Sequence, residues 1–231
     1  MDYSAYQEFA KNKLGVTFKD IDLLVTAFTH RSYVNEHKKT VSEHNERLEF
    51  LGDAVLELVS TEYLYGNFSE PEGILTNWRS ALVRTESIGA AASRCEFEPL
   101  LRLSRGEKRG TERAREQILA NSFEAVIGAL YLDQGYEVAK KFITDNLLVT
   151  FKEILDTGSW MDPKSHLQEL VQSREGSTPV YRVLAEEGPD HDKVFTVGVF
   201  VDDALKGSGT GPSKQAGQQK AAEAALKKYQ A

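Results

Sequence analysis

The spacing at which apolar residues recur changes once along this chain, and that change limits the fold more than any other feature. Up to about residue 155 the spacing is three and four. It runs through Ala5 to Leu14, Ile21 to Phe28, Glu46 to Tyr65, Leu75 to Ser93, Ile118 to Leu132 and Glu137 to Leu155, with short polar or Gly-containing breaks between. This pattern predicts amphipathic helices and no strands. Beyond Asp156-Thr157-Gly158-Ser159 the pattern is different. Asp162-Pro163 opens a helix over about Lys164 to Arg174, and a Gly-Ser-Thr-Pro turn follows. Val180 to Leu184, Lys193 to Val201 and a short run around Ala204 to Gly207 then read as strands. In the middle run Phe195, Val197, Val199 and Val201 alternate with period two. An alanine-rich helix from about Ser213 to Tyr229 closes the chain. The sequence therefore predicts two domains of different class: an all-α domain over 1–155, a linker over 156–161, and a small α+β domain over 162–231. The order of the second is α-β-β-β-α, with both helices on one face of an antiparallel sheet.

The 231 residues are 41% hydrophobic, enough for ordinary cores without a disulfide or metal staple. Cys95 is the single cysteine and can form no intramolecular disulfide. The polar, acidic opening lacks the apolar core of a secretory signal, and no run approaches the ~20 apolar residues of a membrane span. A cytoplasmic protein without a membrane partner is expected. The formal net charge of -7 repels phosphate, so binding to a nucleic acid would need a local basic patch.

The stretch Asn45-Glu46-Arg47-Leu48-Glu49-Phe50-Leu51-Gly52-Asp53-Ala54 carries the most chemistry. At ~100° per residue, Glu46 and Asp53 fall within about 20° of each other, with Glu49 between them. Three acids on one stripe with little cationic relief destabilise a helix by ~0.2–0.5 kcal/mol per pair. A solvated acidic face is the ordinary explanation for such a stripe. The continuation Ala54-Val55-Leu56-Glu57-Leu58-Val59 reads as largely buried, however, and Gly52 costs ~1 kcal/mol within a helix, which points to close backbone approach. The helix around Ile118 to Tyr131 is apolar nearly all round, yet it holds Glu124 at its middle and Asn121 one turn earlier. A carboxylate there needs a partner or a metal. Carboxylates and an amide oxygen, with no His or Cys, form a hard-oxygen set suited to Mg²⁺ or Mn²⁺. Such sites serve phosphate chemistry.

Asn45 to Ala54 resembles the signature segment of the bacterial ribonuclease III family. The resemblance extends upstream to Thr29-His30-Arg31-Ser32-Tyr33, downstream to Ile118 through Asp133, and on through residues 162–230, where the chain resembles a double-stranded-RNA-binding domain. It implies an all-helical nuclease domain that forms a homodimer. It also implies Mg²⁺-dependent hydrolysis of double-stranded RNA, with Mn²⁺ as a substitute. The products would be 5′-phosphate and 3′-hydroxyl ends with a two-nucleotide 3′ overhang, and the cellular task the processing of ribosomal precursors and other structured transcripts. No small-molecule substrate is implied. By position, Glu49, Asp53 and Glu124 would hold the metal together with Asn121. Glu46 would line the site, and Asp53 would organise the attacking water, so that Asp53, Glu124 and Glu46 are the catalytic candidates. Glu72, in Pro71-Glu72-Gly73, matches an acid near the dimer seam, and Phe50 an aromatic that packs into the partner subunit. One position departs from the family: Asn121 stands where an Asp is usual, so the oxygen is kept and the charge lost. Weaker metal binding or a changed metal preference is expected.

Duplex RNA presents 2′-hydroxyls across a wide minor groove, with phosphates along a deep major groove. Ser165, Gln168, Glu169 and Gln172 are spaced to reach the first, and His191 sits at the tip of the loop from Gly188 to Lys193. Gly211-Pro212-Ser213-Lys214 would offer free helix amides and a cation to a phosphate. From Asp162 onward there are nine Lys or Arg against ten Asp or Glu, so this domain is unusually unbasic and Lys214 is expected to carry much of its affinity. His30 and Arg31 read as a buried structural pair, and Trp78 and Trp160 as packing residues. A non-catalytic RNA-binding protein using the nuclease fold as a dimer scaffold is the main alternative. The retained acids argue against it. A DNA nuclease is disfavoured by a reader that depends on A-form geometry.

Overall fold

The computed structural model describes residues 3–189 and 193–230. The chain divides into two compact units, Met1–Asp156 and Thr157–Ala231.

The first unit is helical throughout: α1 (Ser4–Phe9, prolonged by a π turn over Ala10–Leu14), α2 (Ile21–Ala27), α3 (Arg31–Glu36), α4 (Glu46–Asn67), α5 (Glu72–Leu82), α6 (Thr85–Arg94), α7 (Glu112–Gln134), α8 (Tyr136–Asn146) and α9 (Phe151–Thr157). Local chemistry sets several of the starts. Asp20 caps α2 by accepting from the Asp22 amide, and Thr111 caps α7 by accepting from Ala114. The expected single helix over Leu75 to Ser93 is two helices. Arg84 adopts an extended backbone between α5 and α6, and the Ser87 hydroxyl donates to the Ala81 carbonyl at 2.8 Å, terminating α5. The core is aromatic at its centre: Phe28 meets Phe9 and Phe97 edge-on, and Phe123 lies tilted against Phe97 and Phe142. Trp78 packs edge-on to Phe68 and Phe151, as a packing residue should.

The long helices α4 and α7 form the spine of this unit and pack unusually close. A Cβ placed on Gly52 would lie 2.6 Å from the carbonyl carbon of Glu124 and 2.9 Å from the Gly128 nitrogen, and closer still to the Glu124 oxygen. On the other helix, a Cβ on Gly128 would meet the backbone of Leu48. The two glycines lie against each other, and this brings the backbones of the two acid-bearing helices together.

The second unit has α10 (Pro163–Glu175), three antiparallel strands in the order β1 (Val180–Glu187), β2 (Val194–Val201) and β3 (Ala204–Gly211), and α11 (Lys214–Gln230). Val183 pairs with Val197, and Val199 with Gly207. Asp202 and Asp203, both at positive φ, make the tight turn between β2 and β3. Leu167 and Val171 of α10 share one core with Val199, Val201 and the α11 residues Ala221, Ala222, Ala225 and Leu226. Burying each large aliphatic side chain there stabilises the unit by about 1.5–3 kcal/mol. This is an α+β unit of α-β-β-β-α order, as the alternating pattern predicts. Two strands are longer than their side chains suggest: β1 continues through Glu186 and Glu187, and β3 through Gly211, because backbone pairing with Phe195 and Val194 holds them.

Candidate active site

Glu46, Glu49 and Asp53 come from α4, and Asn121 and Glu124 from α7. The close crossing at Gly52 and Gly128 places Glu49, Asp53 and Glu124 near enough to perturb one another electrostatically. Glu124 is half-buried, and burial together with repulsion from Asp53 and Glu49 pushes its pKa up to about 8. Burial, with the charges of Glu46 and Asp53, also raises Glu49, against the influence of nearby Asn121, which favours its ionised form. Asp53 is raised by partial burial and by Glu57. Among the described residues, no three His, Cys, Asp or Glu side chains converge tightly enough to enclose an ion as they stand. The donor chemistry nevertheless fits a hard divalent cation: all oxygen, partly desolvated, and carrying acids whose elevated pKa a cation would reverse.

Glu46 acts on Glu49 but is itself paired outside the trio. The Arg31 guanidinium of α3 donates to its carboxylate at 2.6 Å, and His44 Nδ1 lies 3.9 Å away. The acidic stripe therefore has cationic relief, supplied from another helix rather than along its own. Arg31 is not buried either; 61% of its side-chain surface is exposed. His30, its neighbour in sequence, is partly buried. It caps α3, its ring nitrogen accepting from the Ser32 amide, and its pKa is lowered by burial. Nor is α4 buried on every side. Leu48, Val55, Leu56 and Val59 face the core, while Phe50 is 82% exposed and Leu58 and Tyr65 are exposed. A groove of about 840 Å³ runs beside Phe50, lined by Leu23, Leu48, Leu51 and Leu132 among others. Glu72 opens α5 at the rim of a second cleft with Tyr65, Leu75 and Arg79.

Asn121 has a hydrogen-bond partner on its own helix. Its side-chain oxygen accepts from Gln117 Nε2 at 2.7 Å, and its nearness to Glu49 favours the ionised form of that carboxyl. The bond from Gln117 uses one lone pair of the oxygen expected to face a metal and leaves the other for an ion. Gln117 escaped the sequence reading, although its spacing of four from Asn121 on one helix face was there to be seen.

In the second unit Ser165, Gln168, Glu169 and Gln172 are all exposed along α10, whose start is fixed by Asp162 accepting from the Lys164 and Ser165 amides. His191 lies outside the described residues. The start of α11 corrects one expectation. The Ser213 hydroxyl accepts from the Ala216 amide, so that amide is not free for a phosphate. Lys214 is also engaged. Its Nζ lies 3.2 Å from Glu186 on β1 and 5.6 Å from the centre of the Phe195 ring.

Residues 20–151 match the family described as Ribonuclease-III-like, and residues 163–229 match the double-stranded RNA binding motif. A protein of Enterococcus faecalis named Ribonuclease 3 is 48% identical over 221 residues, covering 94% of each chain. A Ribonuclease 3 of Streptococcus gordonii is 46% identical over 218 residues, again covering 94% of each. Among solved structures, one of the nuclease domain of ribonuclease III from Campylobacter jejuni, described by its flexibility in a region involved in dimer formation, aligns with a TM-score of 0.54 at 38% identity. It covers 60% of this chain and 96% of that one.

Proposed function

The chain belongs to the ribonuclease III family and is an endoribonuclease of double-stranded RNA, and from that premise we propose that Glu49, Asp53 and Glu124 hold the divalent ion of the reaction. The observation that carries this reading is Glu124: a half-buried acid on a core helix, facing two other acids, is a costly arrangement that a bound cation would relieve. When bound, Mg²⁺ (or Mn²⁺ in its place) supplies positive charge that lowers the pKa of an attacking water and offsets charge gathering on the attacked phosphate. Asp53, the most open of the three, is placed to orient that water. Glu124 is fixed by α7 and needs a cation to give up its proton near neutral pH. Glu46, held by Arg31, forms the outer edge of the site. The products are RNA ends bearing 5′-phosphate and 3′-hydroxyl with a short 3′ overhang, and the substrates are ribosomal precursors and other structured transcripts.

The reading extends to assembly. Phe50 is a large aromatic left exposed beside an apolar groove on the same unit, as a two-fold dimer requires if each copy seats Phe50 in the other's groove. Glu72 lies at the rim of a second cleft, with Tyr65 and Arg79. Among the described residues no helix is long and apolar enough to cross a membrane.

A long RNA duplex and a matched DNA duplex, incubated with the full chain in Mg²⁺, Mn²⁺ or EDTA, test the chemistry. RNA should be cut in either metal and left intact in EDTA, DNA should survive throughout, and end-group analysis should give 5′-phosphates. RNA that is bound but uncut in both metals defeats the proposal, and sedimentation equilibrium of the same preparation decides the dimer.

We assign duplex contacts to Ser165, Gln168, Glu169 and Gln172 on the exposed face of α10, and a phosphate contact to Lys214. His191 belongs to the same proposal by its place in the sequence between Gly188 and Lys193. Because Lys214 is paired with Glu186, duplex phosphate competes with a carboxylate for it. Lys214→Ala should weaken binding uniformly across sequences and reduce the magnitude of the salt slope by about one. Glu186→Gln should strengthen binding at low salt by up to about threefold, the worth of one exposed ion pair. Filter binding from 50 to 300 mM salt (roughly the range over which counterion release dominates) reads both; an unchanged slope in Lys214→Ala removes Lys214 from the interface.

A further inference from the structure

We propose that a tyrosine-lined cleft on the first unit is a second binding site, for a nucleotide whose base is unpaired. The cleft encloses about 440 Å³, within the ~300–1,000 Å³ usual for small-molecule pockets. Tyr3, Tyr6, Tyr33, Thr40, Val41 and Arg102 line it. It shares no residue with the acid cluster, so it stands whether or not that cluster holds a metal.

Arg102 is fixed here through both backbone and side chain. Its N–H donates to the Phe28 carbonyl at 2.8 Å, and its carbonyl accepts from the His30 amide at 3.1 Å. Its guanidinium donates at 3.1 Å to Thr29 Oγ1, a hydroxyl that itself donates to the Val25 carbonyl at 2.6 Å. The guanidinium carbon lies 4.4 Å from the centre of the Tyr33 ring, and the His37 ring is stacked on Tyr33 with centroids 4.0 Å apart. Two groups at these distances cannot share a face, so Tyr33 is sandwiched and the three planes form one ladder. A cation held this firmly is already ordered before any ligand arrives, which lowers the entropic cost of binding.

Tyrosine walls alone would suit any flat ligand, and charge narrows the choice. Lys38 and Lys39 are exposed in the turn that leads from His37 to Thr40, and neither has an ion pair among the described residues. In a chain of net charge -7, three cations gathered about one aromatic cleft repel an organic ammonium and favour an anion. A ligand that is flat, anionic and small enough for the cleft is a nucleotide. Its base would lie against tyrosine and guanidinium planes, with its phosphate toward the lysine turn. The nucleotide comes either free from solution or as the unpaired end of an RNA strand, since both present the same base and phosphate.

The test titrates the full chain by calorimetry in EDTA, where no metal can bridge a phosphate to the acid cluster. The probes are adenosine monophosphate, uridine monophosphate, adenosine and inorganic phosphate. The nucleotides should bind roughly tenfold or more tightly than adenosine or phosphate alone. Arg102→Lys keeps the charge but loses the plane, and should weaken nucleotide binding roughly tenfold. Thr40→Trp changes an exposed wall residue, so the fold is retained, and the indole should fill the cleft and abolish binding; circular dichroism checks both variants. Displacement of adenosine monophosphate by an RNA duplex with two-nucleotide 3′ overhangs, and not by the same duplex blunt, would assign the site to RNA ends. Displacement by neither would assign it to free nucleotides. Equal displacement by both would make the cleft a surface for paired RNA and overturn the proposal. No nucleotide binding at millimolar concentration, phosphate binding as tight as the nucleotide's, or affinity unchanged in Thr40→Trp would each overturn it as well.

Discussion

Glu124→Gln should reduce cleavage of duplex RNA by on the order of 10³-fold or more in saturating Mg²⁺, while duplex affinity stays within about twofold of the parent. The substitution keeps shape and hydrogen-bonding capacity but removes the one charge that only a cation can stabilise at this position. Glu124 belongs to α7 of the first unit and the proposed duplex contacts to the second, so binding and chemistry can be measured separately. A second consequence runs the opposite way. In the folded chain Glu124 keeps its proton up to about pH 8, whereas the unfolded chain releases it in the ordinary carboxylate range. Between those two values, ionisation therefore favours the unfolded chain increasingly as pH rises, and glutamine removes that penalty. In EDTA at neutral pH the variant should be more stable than the parent by on the order of 1 kcal/mol, and Mg²⁺ should raise the melting temperature of the parent but not of the variant. Cleavage within tenfold of the parent would remove Glu124 from the metal site. A variant less stable than the parent in EDTA would show that the carboxylate has a protein partner.

What could be read in advance, and what could not, follows the range of the interactions. The stripe of Glu46, Glu49 and Asp53 is fixed by helical spacing alone, and so is the pairing of Asn121 with Glu124 on one helix. The partner of Glu46 is not, because Arg31 arrives from α3, a helix of six residues too short to show a period of its own. The break at Val83 and Arg84 was hidden for a related reason: neither residue is Gly or Pro, and a tertiary turn capped by Ser87 ends the helix there. In the second unit the period-two run of β2 marked the sheet, whereas β3 is held by backbone pairing through Lys206 to Gly211, whose side chains carry little strand signal. Lys214 could be picked out as a cation at a helix start, but its opponent Glu186 depends on where β1 ends. Gly52 carried the strongest long-range information in the chain: a residue that weakens its own helix signals that something must come close.

Gly52→Ala should cost the first unit about 3 kcal/mol or more and lower cleavage by at least ~10²-fold. Helix propensity alone argues the reverse, since alanine is better than glycine within a helix by ~1 kcal/mol. The crossing decides the sign. The added methyl would lie 2.6 Å from the Glu124 carbonyl carbon and 2.9 Å from the Gly128 nitrogen, and both are backbone atoms of a buried helix that cannot turn aside. The helices must then separate by an ångström or so, and that movement carries Glu124 away from Glu49 and Asp53, where a displacement of about 1 Å in a catalytic group costs on the order of 10²-fold. Gly66, on the last turns of the same helix, supplies the contrast. A methyl there meets nothing within 4 Å, so Gly66→Ala should leave cleavage unchanged and stabilise by up to about 1 kcal/mol. Thermal unfolding of the two variants beside the parent separates propensity from packing. Opposite shifts are expected, and a Gly52→Ala chain that melts with the parent and cuts at its rate would mean that the crossing does not set the geometry of the site.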